Sequence, residues 1–131
     1  MATVYPPAYA QASLAGGVAI FDAGTGTPTV KIYDGATLLL TFNLNSTAAF
    51  GTPTMACPSI ATVTGLPISA VAVASGTADN AKLISRDGSY EVTTDSVSAT
   101  DDGGAIQLSS LSVTIGQPFD LTGCTVSQPC S

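Results

Sequence analysis

The chain reads as a mainly β, single-domain protein, an antiparallel β-sandwich or flattened, jelly-roll-like barrel with one short helix near its start. Three observations predict this. The 131 residues match one domain of about 100–150 residues. The 18 Thr and 14 Ser, with 13 Gly and 8 Pro, are β-tolerant residues punctuated by turn formers, and only 6% of residues are aromatic. Short alternating apolar segments recur at nearly regular spacing, the pattern of sandwiches and small barrels. Neither an internal repeat nor a second domain interrupts it.

Residues 1–7 read as an extended arm, because Pro6-Pro7 does not enter a helix interior. Ala10, Leu14, Val18 and Phe21 then recur at spacings of four, four and three, one face of a helix. Pro7 suits its first turn and Gly24 its stop. Gly16-Gly17 weakens that helix by about 1 kcal/mol per glycine, which leaves a strand over 18–22 as the competitor. Strands follow over 29–34 and 37–44, joined at Asp34-Gly35, with Leu38, Leu40, Phe42 and Leu44 on one face at period two. Residues 45–53 form a loop with Phe50 as its large anchor. Further strands are expected over 60–64, 68–74, 82–86 and 89–93, the last two flanking Asp87-Gly88. Residues 105–108, 111–115 and 119–126 complete eight or nine strands, and 122–131 reads as a cysteine-bearing tail. The expected core is Leu14, Val18, Phe21, Ile32, Leu38, Leu40, Phe42, Ile84, Val92, Leu111, Val113 and Ile115.

Composition excludes more functions than it suggests. Three basic against nine acidic side chains give a net charge of −6, the wrong sign for a nucleic-acid surface. Histidine is absent, which removes the Ser-His-Asp and Cys-His arrangements and the commonest metal ligand. Lys31 and Lys82 sit in alternating strand patterns where a solvent-facing side chain is the default, so a Ser/Lys pair is not expected. Asp101-Asp102 in a Gly-rich loop reads as a solvated turn, with weak calcium binding as its alternative. Gly24-Thr25-Gly26 precedes a strand and lacks a third glycine, which fails the nucleotide-binding context. Cys57, Cys124 and Cys130 lack zinc spacing; Cys57 is expected to be packed. Cys124 and Cys130 are spaced for a small terminal bridge, with free thiols the plainer alternative. No catalytic group, cofactor or metal site is expected, and no stretch approaches the roughly 20 apolar residues of a membrane span. The start of the chain lacks the basic region of a secretory leader, since no positive charge precedes Lys31.

One feature asks for a partner. No charged residue occurs over 35–78, although soluble surfaces normally interleave charges. Interface cores are depleted in Lys, Glu and Asp, so this stretch is a candidate contact surface, with Thr, Ser and Asn supplying solubility as the plain alternative. Its candidate contact residues are Leu38, Leu40, Asn45, Phe50, Met55, Ile60, Val63, Leu66 and Ile68.

Asp22-Ala23-Gly24-Thr25-Gly26 followed by Val30-Lys31-Ile32-Tyr33-Asp34-Gly35 resembles a family of small tailed-phage virion proteins. The likeness continues through Leu39-Leu40-Thr41-Phe42, Ala49-Phe50-Gly51, Ser75-Gly76-Thr77-Ala78, Arg86-Asp87-Gly88 and the segment 111–115. Gly16-Gly17 and the segment after Leu121 depart from it. The resemblance implies a structural component of a bacteriophage virion, a capsid decoration or cement protein assembled in the host cytoplasm on the outer capsid surface. Its expected partners are the major capsid protein and copies of itself, as a trimer by analogy, without nucleic acid or membrane. A neck or tail structural module is the first alternative. A carbohydrate-binding adhesion module is the second, disfavoured by the absence of Trp.

Overall fold

A computed structural model of the chain describes residues 6–21, 25–44, 50–56, 59–88, 90–100 and 102–128. It is mainly β, with 48% strand and 13% helix, and sandwich-like. Helix α1 spans Pro7–Phe21 and the strands are β1 Thr29–Asp34, β2 Thr37–Asn43, β3 Ser59–Thr62, β4 Ile68–Val71, β5 Gly76–Thr77, β6 Asn80–Ile84, β7 Glu91–Thr94, β8 Val97–Ala99, β9 Ile106–Leu108, β10 Ser112–Val113 and β11 Pro118–Gln128. The first sheet has the order β2-β1-β6-β7 and the second β3-β11-β9-β8, with β4 also on β11 and a small β10-β5 ladder beside them.

The first sheet forms where alternation is cleanest. Val30 and Ile32 of β1, Leu40 and Phe42 of β2 and Ala81 and Leu83 of β6 share one register row after another and are all buried. The turn after Asp34 is two residues long, with Gly35 at φ 57°, a conformation that disfavours a side chain. The Asp34 carboxylate accepts from Thr77 N at 3.1 Å, and that of Asp79 from Gly35 N at 3.0 Å, so the two acids brace this hairpin against the chain that follows it.

Alternation fails at Leu39. Ile32 faces Leu40 but Tyr33 faces Leu38, which makes Leu39 an extra, bulged residue. Leu39 and Leu40 are therefore both buried while Leu38 is only half-buried. The bulge joins the layers: the Leu39 carbonyl accepts from Val73 N at 2.9 Å, and its side chain lies against Gly76.

Strand β11 carries the second layer. Residues 118–121 pair with β4, 125–128 with β3, and Leu121, Gly123 and Cys124 with β9. A second bulge at Thr122 turns both Leu121 and Cys124 inward. Residues 122–128 are thus interior sheet, not a tail, and Cys124 is a free, buried thiol. Cys57 and Cys130 lie outside the described residues. Within this largely antiparallel arrangement one pair of very short strands, β8 and β9, is parallel.

The helix takes the expected face, with Ala10, Leu14 and Phe21 buried and Val18 half-buried against the core. Phe21 meets Phe50 edge to face at 5.7 Å. Ile84 falls on the outer side of β6, because Ala81 and Leu83 take the inner one. Val92 is exposed because β7 is the outer strand of its sheet, and Ile115 because β10 ends at Val113. Leu111 is only half-buried, whereas Val113 is buried as expected.

Two glycines give opposite expectations. At Gly76 an added Cβ stands 2.6 Å from Asp34 Oδ2 and 3.2 Å from Leu39 Cδ2, so Gly76→Ala is expected to cost about 1–3 kcal/mol in urea unfolding. Gly16 has no atom within 4 Å of such a Cβ, so Gly16→Ala is expected to stabilise the chain by about 1 kcal/mol.

Candidate interaction surface

The charge-free stretch divides between core and surface. Leu40, Phe50 and Val63 are buried, so they hold the fold together and offer nothing to a partner. This corrects the expectation for those three residues. Period-two alternation shows that apolar side chains share a face, not whether that face meets the core or solvent. Leu38, Leu66 and Ile68 are half-buried, Met55 and Ile60 are exposed, and Asn45 lies outside the described residues.

The largest outward apolar side chains of the stretch include two that were not singled out, Val71 and Val73, 59% and 60% exposed. They flank buried Ala72, as alternate residues of an extended segment must. Ala72 N donates to Gln117 O at 3.0 Å and Gly116 N to Ala72 O at 2.9 Å, which sets this segment beside the turn carrying Ile115, itself 60% exposed. Ile115 N donates to Ser75 Oγ at 2.9 Å and closes the junction.

Ile115 belongs to a second charge-free run, residues 103–119, between Asp102 and Asp120. Pairing of β4 with β11 and of β5 with β10 brings the two runs together. The signal was present in the sequence, but only the pairing joins its halves. Carboxylates stand beside this pole: Asp120, which accepts from Ser69 Oγ at 2.6 Å, and the bracing pair Asp34 and Asp79. No Lys or Arg occurs over 68–78 or 109–119.

Met55 and Ile60 lie at the other end. Ile60 is in register with Ser127 and Val71 with Pro118, which separates the two regions by about 30 Å along β11. The described basic residues lie elsewhere, with Lys82 over the Tyr33 ring at 5.5 Å and 3.9 Å from Glu91, and Arg86 Nη1 donating to Gly26 O at 3.1 Å.

Among the described residues a cavity of about 140 Å³ between α1 and the sheets is lined by Leu14, Gly17, Val18, Phe21, Phe50, Val92 and Val126, none of them titratable. Among the described residues, no three His, Cys, Asp or Glu side chains gather as a metal site. Asp102 is exposed, and Asp101 lies outside the described residues. Backbone N–H donation from Gly35, then the Asn80 amide, holds the Asp79 carboxyl below its ordinary value of 3.8. Burial pushes the Cys124 thiol up from 9.0 to about 12. Comparison with protein-family models, curated proteins and solved structures finds no match.

The two shifts act at opposite ends of the pH scale. The contribution of Asp79 is present above its ordinary value of 3.8 and lost as pH falls through the lowered one. That of Cys124 is full below 9.0 and lost as pH rises toward about 12, because the unfolded thiol ionises first. In a Cys57→Ser, Cys130→Ser chain at mildly alkaline pH, a thiol reagent is expected to leave Cys124 unmodified until denaturant is added. Rapid labelling of the folded chain would contradict its interior position.

Proposed function

We propose that the chain is a structural protein of a tailed-bacteriophage virion, a capsid decoration or cement protein on the outer shell. It binds the major-capsid lattice and copies of itself, in a trimer by analogy, and carries out no catalysis. The observation that carries this reading is the pole of Val71, Val73 and Ile115, where two charge-free runs meet on hydrogen-bonded backbone. Exposed apolar side chains on a held backbone lose little entropy on docking, which suits a part that works by contact. The motif likeness to small tailed-phage virion proteins supplies the biological setting.

The carboxylate rim refines the partner's chemistry. Asp34, Asp79 and Asp120, with no base among them, suit a lattice surface that is apolar at its centre and carries Lys or Arg at its edge. Many such contacts per particle multiply weak individual ones. The remaining acidic surface keeps free copies apart before they reach the shell.

Val73→Asp places a charge in the proposed contact without entering the core, so the fold is expected to survive. Its binding to particles that lack the protein is expected to fall at least about tenfold, since a desolvated unpaired charge costs several kcal/mol. Native particles are expected to carry hundreds of copies, and particles without them to lose genome at lower temperature. About a dozen copies at one vertex would replace the cement reading with the neck reading.

A further inference from the structure

Val92 marks a gap between the two layers. It pairs with Leu83 across β7 and β6, so both side chains stand on the inner face of their sheet, yet Leu83 is buried and Val92 is 46% exposed. Val126 borders the same space from the second layer, on the side of buried Ala61. Helix α1 borders it without filling it. Gly17 brings no side chain, and nothing lies within 4 Å of where its Cβ would stand. Phe21 and Phe50, edge to face, form a further wall. What remains is the cavity of about 140 Å³ that these residues line with Leu14 and Val18.

Size and chemistry select the occupant. An apolar cavity of about 150 Å³ stays dry and takes a benzene-sized molecule. Water finds no polar side chain among the described lining, and the walls forfeit dispersion contacts while the space is empty. Charge narrows the class further. A second cavity of about 260 Å³ shares Val92 and Val126 with the first and is lined also by Thr93, Thr94, Thr125 and Ser127. Among the described residues no Lys or Arg lines either space. A carboxylate or phosphate would lose its hydration there without a partner, and the net charge of −6 opposes its approach. The Thr and Ser hydroxyls suit a neutral polar group instead.

We infer that this cavity is a binding site for a small neutral molecule with a benzene-sized apolar end, any hydroxyl it carries lying toward the threonine-lined space. The inference does not rest on the proposed role in a virion.

Benzyl alcohol and benzoate share one ring and differ in charge, so the pair tests both size and class. Each is titrated to about 10 mM into the purified full chain, with the Val and Leu methyl signals followed by NMR. Benzyl alcohol is expected to move the signals of Leu14, Val18, Val92 and Val126 along saturable curves with a Kd of about 1 mM. Those of Val71 and Val73, equally apolar but outside the cavity, are expected to stay in place. The unfolding temperature is expected to rise with the alcohol, which binds the folded chain alone. Benzoate is expected to bind at least about tenfold more weakly. Gly17→Leu sets a good helix former at the cavity, and is expected to raise the unfolding temperature by itself while weakening benzyl alcohol at least about tenfold. Val92→Phe occupies the same space from β7 and carries the test if Gly17→Leu fails to fold. Absence of saturable shifts overturns the inference, as does equal binding of benzoate, equal movement of Val71 and Val73, or binding untouched by both variants. Shifts at the cavity methyls that grow with protein concentration alone would assign the space to a side chain of a second copy and overturn it too.

Discussion

Strand β11 is the constraint on which the molecule depends. Its two halves pair with β4 and β3, and its other edge with β9, so much of the second layer hangs from one segment. The bulge at Thr122 makes this possible. It turns Leu121 and Cys124 toward the core, and the Thr122 hydroxyl donates to Gln107 O at 3.2 Å beside the interrupted ladder. Gly123 then lies so close to Gln107 that an added Cβ would stand 3.1 Å from that side chain. The Leu39 bulge does the matching work in the other layer, lending its carbonyl to Val73 N. Two strands that break period two thus hold the two layers in place.

That architecture also places the surfaces. Because β4 and β3 occupy opposite halves of one edge, the segments joined to them emerge at opposite ends of the molecule. One end presents Val71 and Val73 beside Ile115, with carboxylates near it, and the other presents Met55 and Ile60. An acidic rim disfavours a copy of the same acidic pole.

Much of the fold was legible where a local rule has no competitor. The β1–β2 hairpin follows from alternation and Asp34-Gly35, and the helix from the spacing of Ala10, Leu14, Val18 and Phe21. Bulges were not legible, because Leu38-Leu39-Leu40 satisfies period two in either phase and only pairing with Ile32 and Tyr33 selects one. Strands β5 and β8 are two and three residues long, too short to show any period. The candidate contacts were legible as a composition, not as a surface. Absence of charge marks both interior and interface, so Leu40, Phe50 and Val63 fell on one side of that ambiguity and Met55 and Ile60 on the other. Ile115 was missed as a contact because it lies in a separate charge-free run that only strand pairing brings beside the first.

The central claim is that the apolar pole at the start of β11 meets the shell. A reconstruction of intact particles by electron cryo-microscopy tests it most directly. The account expects Val71, Val73 and Ile115 to be buried against the major capsid protein, with its Lys or Arg side chains beside Asp34, Asp79 or Asp120. Density showing that pole open to solvent, with the chain attached to the shell through the outer face of β1 and β6, would contradict it.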